Sequence, residues 1–267
     1  MRREITALMT IALVAGNAAA AAAGFPKTPI TTCAPDAVVS GTVCMDKYED
    51  SVWRIPDPKG TGKALVTKVQ KGSATEADLT AAGATRLGVS TDDYAPCDHL
   101  GNACGDIFAV SLGGVTPSGN ITWFQSLQAC KNSGKRLPSN AEWQAAVTGT
   151  PNPGPDDGVA DCNTADFTAA ITATGSRSNC VSDDGAFDLV GNLNEWVADW
   201  VPRSTGCASW TATEDSQCLA GADTAGEPGA LIRGGQSKQF TAAGPLLVDG
   251  RNSPATVFNR YGFRCDR

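Results

Sequence analysis

Apolar positions recur at helical spacing in two neighbouring stretches and rarely elsewhere. In the first, Phe124, Leu127 and Cys130 share a face, Thr122 stands at the cap position with Gln125 three residues on, and Gly134 is placed to end the helix. In the second, Ser139 and Glu142 form a capping-box pair ahead of Trp143, Ala146 and Val147. The turn Gly134-Lys135-Arg136-Leu137-Pro138 forces the two helices apart. A shorter helix is predicted over residues 75–82, and short strands over 107–112, 230–233 and 261–265. Residues 148–157, TGTPNPGPDD, read as loop. The closing stretch, 234–265, follows neither period. It mixes polar, basic and bulky residues between Gly234-Gly235 and Gly262-Phe263-Arg264-Cys265.

One apolar run has a different meaning. Met1-Arg2-Arg3 precedes an apolar stretch over 5–15 and alanines up to Ala23, which reads as an export signal over 1–23. No later stretch offers the roughly twenty apolar residues that a membrane helix needs. The remaining 24–267 shows no linker, heptad run or repeat and is expected to form one domain, secreted, periplasmic or on the cell surface. A net charge of −7 argues against nucleic acid or an anionic membrane as partner. Abundant glycine and scarce helical periodicity point to a loop-rich α+β fold.

Ten cysteines in a chain read as exported argue for disulfides rather than metal thiolates. Spacing suggests clasps at Cys33–Cys44, Cys97–Cys104, Cys162–Cys180 and Cys207–Cys218, which leaves Cys130 with Cys265. This connectivity is a hypothesis, since sequence alone does not prove it.

Four motifs then occur in order. WFQSLQACKNSGKRLPSNAEWQAAV, FDLVGNLNEWVADW, IRGG and YGFRC resemble the formylglycine-generating enzyme (sulfatase-modifying factor) family, and Cys44-Met-Asp-Lys-Tyr-Glu49 is similar to that family's early strand. The resemblance implies a C-type-lectin-like fold with two main helices, small twisted sheets and loops pinned by calcium. It also implies a bridge from the helix cysteine, Cys130, to Cys265.

The family's oxidases bind copper through two cysteines after the Gly-Gly pair, and soft thiolates suit copper(I). Those positions fall on Gln239 and Gly244, so no copper is expected, and a formylglycine-generating-type oxidase is the alternative function. Iron-dependent relatives need a histidine cluster, whereas His99 is the only histidine. For calcium, the resemblance implies side-chain ligands at Asp188 and Glu195 and carbonyl ligands at Gly191 and Leu193. A weaker second site falls at Asn163 and Thr164.

The C-terminal stretch is similar to the variable segment of diversity-generating retroelement target proteins, which display residues on this scaffold. By that likeness Arg233, Gly234, Gly235, Ala243, Gly244, Pro254, Gly262, Phe263 and Arg264 are scaffold. Gln236, Ser237, Lys238, Gln239, Phe240, Thr241, Asp249, Arg251, Ser253, Thr256, Phe258 and Arg260 are display. Aromatic and arginine anchors among adaptable polar residues suit a binding surface. The expectation is a non-catalytic binder of a protein or glycan on another cell or phage.

Overall fold

The computed structural model describes residues 30–152, 156–165, 170–206, 215, 217–218 and 223–267. The expected signal, 1–23, and Cys207 lie outside the described residues. An N-terminal hairpin pairs β1 (Ala37–Ser40) with β2 (Val43–Asp46). A three-stranded antiparallel sheet follows, with β3 (Asp50–Arg54) between β4 (Thr85–Leu87) and β5 (Ile107–Ser111). Helices α1 (Lys63–Gln70) and α2 (Glu76–Ala81) lie between β3 and β4.

The expected helix pair appears as α3 (Trp123–Asn132) and α4 (Asn140–Ala146). Both begin at complete capping boxes: Thr122 with Gln125, and Ser139 with Glu142. These satisfy backbone donors that the helices' own ladders leave open. The same device, Thr75 with Asp78, starts α2 within the expected 75–82. Helix α1 had no such signature, because its cap is Gly62, with no side-chain bond.

The largest sheet carries the C-terminal motifs. Its order is β10–β6–β8–β9–β7, where β6 is Asn194–Gly206, β7 Gln217–Cys218, β8 Asp223–Arg233, β9 Val248–Asn252 and β10 Tyr261–Phe263. Strand β8 extends well before the expected 230–233. Strand β10 runs parallel to β6 with Gly262 opposite Glu195 and Phe263 opposite Trp196. That register places the closing Arg264 next to the Glu-Trp pair. Trp196 and Phe263 are fully buried in the core with Ile121 and Cys130.

Four disulfides join Cys33–Cys44, Cys97–Cys104, Cys130–Cys265 and Cys162–Cys180. Cys218 is also disulfide-bonded. The 135-residue separation of Cys130 and Cys265 makes their bridge the strongest restraint on the unfolded chain, about 5 kcal/mol in the chain-entropy treatment. Among the described residues no cysteine is free and no helix is long and apolar enough to cross a membrane.

Candidate functional site

The sequence motifs meet in one buried cluster beneath the C-terminal segment. Arg233, at the end of β8, lies with its guanidinium 4.6 Å from the centre of the Trp143 ring. Trp143, on α4, donates its indole N–H to Glu195 Oε2 at 2.7 Å. Glu195, on β6, takes the fork of Arg264 through Nε at 2.8 and 2.9 Å and Nη2 at 2.6 Å. Arg264 also donates to the carbonyls of Phe187 at 2.7 Å and Asp46 at 3.2 Å. Burial depresses the Arg233 guanidinium to about 10, against the pull of Asp215.

Two further carboxylates lie in the same region. Glu49 accepts from the Asn192 amide and from the Leu193 N–H at 3.0 Å. Burial raises it well above the usual range, with the charges of Asp188 and Glu195 adding to the shift. Asp188 accepts from the Thr174 hydroxyl at 2.9 Å and the Gly175 N–H at 2.6 Å. Burial lifts it to about 6 despite those bonds. Glu49 and Asn192 had no role in the sequence reading. Glu49 stands in the CMDKYE stretch and Asn192 in the GNLNEW stretch, but nothing in their spacing announces that they bond.

The implied calcium ligands fit only in part. Both Glu195 oxygens are already engaged by four donor contacts, which fills the lone-pair positions of a carboxylate. Glu195 therefore does not fit as a metal ligand: its counter-charge is Arg264. Asp188 uses one oxygen for Thr174 and Gly175. Asn163 and Thr164 are different. Both are buried, and Asn163 Oδ1 and Thr164 Oγ1 have no hydrogen-bond partner. Hard, unsatisfied oxygens of this kind match Ca²⁺ chemistry. The fold brings the two expected sites together. Asn192 donates its N–H to the Asn163 carbonyl at 2.9 Å, and a side chain at Gly191, whose φ is +81°, would collide with that carbonyl. Leu193 is itself buried, its N–H held by Glu49.

The nine scaffold positions from Arg233 to Arg264 are all buried, Arg233 and Arg264 within the cluster itself. Gly234 and Gly235 have φ of +80° and +90°. A Cβ on Gly235 would stand 2.5 Å from that of Ala243, and one on Gly234 would strike the Leu189 carbonyl. The display positions divide. Lys238, Phe240, Thr241, Arg251 and Phe258 are exposed, and Gln236, Gln239, Ser253, Thr256 and Arg260 half-buried. Phe240 and Phe258 are 57% and 41% exposed, large values for aromatic side chains.

Two display assignments need correction. Ser237 is fully buried, with its hydroxyl accepting from Arg260 Nε at 3.0 Å and its N–H donating to the Asn192 carbonyl at 3.2 Å. Asp249 is buried and holds Arg251 at 2.6 Å. Both support displayed arginines rather than being displayed, and a short polar side chain in a polar segment gives no sign of that.

The positions where oxidases carry copper-binding cysteines hold no sulfur. Gln239 caps the backbone N–H of Gln236 at 3.2 Å, and Gly244 is packed so closely that a Cβ would meet the Asp215 carboxylate. The Asp50 carboxylate does lie close to the sulfurs of Cys130 and Cys265, but both are committed to their disulfide. A disulfide has no thiolate to offer a metal.

The serine/threonine-protein kinase Pkn1 of Chlamydia trachomatis is 31% identical over 154 residues, 56% of this chain and 24% of that protein. The chain thus spans about a quarter of the length of this curated relative. Among solved structures, PvdO from Pseudomonas aeruginosa matches at 18% identity and TM-score 0.44, over 84% of this chain and 80% of that one. The Major Tropism Determinant P3c variant matches at 18% identity and TM-score 0.41, over 58% and 43%. Residues 105–267, well over half of the sequence, match the sulfatase-modifying factor enzyme 1-like domain, and the chain belongs to that family.

Proposed function

We propose that this chain is an exported, non-catalytic ligand-binding protein of the variable type made by diversity-generating retroelements. Residues 233–265 present its binding surface, and 24–267 act as one domain. The observation that carries this reading is the division within that segment. Every frame residue is buried, while Phe240, Phe258, Lys238, Thr241 and Arg251 are exposed over a disulfide-tied base. Aromatic side chains with two rotatable bonds, and an arginine already held by Asp249, lose little entropy on binding.

The oxidase reading has less support. Its copper thiolates would need to stand where Gln239 and Gly244 are. A structural calcium ion belongs to the binding reading, held at Asn163 and Thr164. It would fix the loops that support Gly191 and the turn at Phe240, whose N–H donates to the Thr164 carbonyl at 2.8 Å.

Two measurements test the proposal. The biotinylated full chain is screened against arrays of bacterial surface proteins and glycans, beside a Phe240→Ala, Phe258→Ala double variant. Capture by the wild type that the double variant loses supports it. Thiol titration and oxygen uptake with copper on the native chain test the alternative. A reactive thiol pair with copper-dependent oxygen consumption would overturn the binding reading.

A further inference from the structure

Segment 58–75 reverses the charge of the chain. It holds Lys59, Lys63, Lys68 and Lys71 and no aspartate or glutamate, on a protein of net charge −7. The whole-chain charge, which argues against an anionic membrane, averages this segment away. Helix α1 lies inside it. Leu65 and Val69 are buried with Trp53, Ile55 and Phe108, which fixes the helix on the three-stranded sheet. At about 100° per residue, the direction opposite Leu65 and Val69 is that of Thr67, with Lys63 and Lys71 on either side of it. Lys63, Ala64, Thr67, Lys68 and Lys71 are all exposed.

Neighbouring carboxylates are committed elsewhere. Lys68 is held by Asp78 at 2.6 Å. Asp57 accepts from the Thr61 N–H at 2.8 Å, Glu76 faces Arg86 at 4.0 Å, and Asp36 is taken by Lys135 and Arg267. Lys59, Lys63 and Lys71 stand outside ion-pair reach of every described carboxylate. Helix α1 also has no acidic residue in its first turn, where helices favour one. The patch continues onto the next element. The Gln70 amide donates to the Asn132 carbonyl at 3.1 Å, which sets exposed Lys131 beside the end of α1.

Helix α3 separates this patch from the display segment. Its ten residues span about 15 Å. The Trp123 N–H at its start donates to the Pro254 carbonyl at 3.0 Å, whereas Asn132 at its end receives Gln70.

We infer that the lysine face of α1, together with Lys131, docks on an anionic bilayer surface through its headgroup phosphates. The inference goes beyond the binding reading and does not depend on it. Lysines are point charges on flexible stems, which suit a diffuse layer of phosphates. The face lacks the aromatic and arginine anchors of protein interfaces, whose centres are poor in lysine. Its apolar side is committed to the core, so the contact is electrostatic and nothing inserts. At about 0.1 M salt, charges more than about 10 Å away are screened, so the acidic remainder of the chain counts for little at the contact. Docking of this kind leaves Pro254 and the segment around it at the end of α3 away from the patch.

Co-sedimentation of the full chain with vesicles tests the inference. Vesicles of phosphatidylcholine alone are the reference, and the probe is phosphatidylcholine mixed with phosphatidylglycerol. Binding to the mixed vesicles is expected to exceed the reference and to fade as salt rises to about 0.5 M. Each neutralised lysine should weaken that excess about fivefold, so Lys63→Gln with Lys71→Gln should weaken it at least about tenfold. Both side chains are exposed, and the double variant should keep the wild-type melting temperature. Lys238→Gln, in the display segment, should leave vesicle binding unchanged. Equal binding to the two kinds of vesicle, or an equal loss with Lys238→Gln, would overturn the inference. Lysine-dependent self-association, or binding of duplex DNA, without vesicle binding would give the face to another partner and overturn it too. If vesicles are ignored while array capture persists, the binding reading stands and the docking face fails.

Discussion

The indole N–H of Trp143 and the carboxylate of Glu195, 52 residues apart in sequence, meet at 2.7 Å in the buried centre of the molecule. Through this bond the second capped helix, the Gly-Asn-Leu-Asn-Glu-Trp strand and the closing Gly-Phe-Arg-Cys form one unit, since Glu195 also takes the Arg264 fork. Removing one member of a buried ion pair strands the other charge. Arg264→Met should therefore cost about 3–5 kcal/mol. Trp143→Phe, which removes the N–H and leaves a small cavity where the larger ring system stood, should cost about 1–3 kcal/mol. Urea unfolding of both variants checks the order, and a Trp143→Phe chain less stable than Arg264→Met would reverse it.

The frame and the display residues should respond oppositely to substitution. Gly235 holds φ of +90° with Ala243 against it, so Gly235→Ala meets both backbone strain and a clash. A loss of about 2 kcal/mol or more is expected. Replacing Phe240 and Thr241 together by serine should change stability by less than about 1 kcal/mol, because both side chains are exposed. Thermal melts of the two chains decide it, and similar losses would mean that the exposed positions are structural.

How far the sequence disclosed this molecule depended on how local each signal was. Capping pairs at Thr122 and Ser139 announced two helices, since cap and partner lie three residues apart, and the helix expected over 75–82 proved to begin at a capping box as well. Helix α1 begins at Gly62 without a side-chain cap and passed unread. Of the β6–β8 pair only residues 230–233 were expected as strand, and register shifts after Trp196 break the regular pairing. Short cysteine spacings matched their bridges. The pairing of Glu195 with Arg264 spans 69 residues, and no local pattern encodes it. That distance is why a carboxylate already neutralised by arginine looked available for calcium.

Calcium dependence separates the two parts of the expected metal site. Unsatisfied oxygens at Asn163 and Thr164 predict that the ion stabilises the fold, by about 3 kcal/mol at a hundred times its dissociation constant. A chelator should lower the melting temperature of the wild type, and Asn163→Ala should abolish that response. Glu195→Gln should lower stability yet keep the calcium response, because its oxygens serve Arg264 and Trp143. If Glu195→Gln alone removes the calcium effect, the ion sits at Glu195 and the fit described above is wrong.

The side-chain carboxylate of Asp266 gives stability a pH dependence of definite sign. Its side chain is buried, with Arg136 Nη1 at 3.1 Å. Burial pushes the group up to about 7, with Glu142 and Asp46 reinforcing it and Arg136 opposing it. In the unfolded chain an aspartate titrates near about 3.9. Between those values the folded form holds a proton that the unfolded form has released, so stability must fall as pH rises. The contribution is complete below about pH 4 and gone above about pH 7, and its size is on the order of a few kcal/mol. Other groups titrate too, and Glu142, pulled down to about 2 by Arg136, has the opposite sign. Asp266→Asn isolates the one term: it keeps the shape and removes the titration. Urea unfolding at about pH 5 and about pH 8 should show the wild type losing more stability than the variant across that interval. Equal losses would mean that Asp266 is already ionised at the lower pH, held there by Arg136.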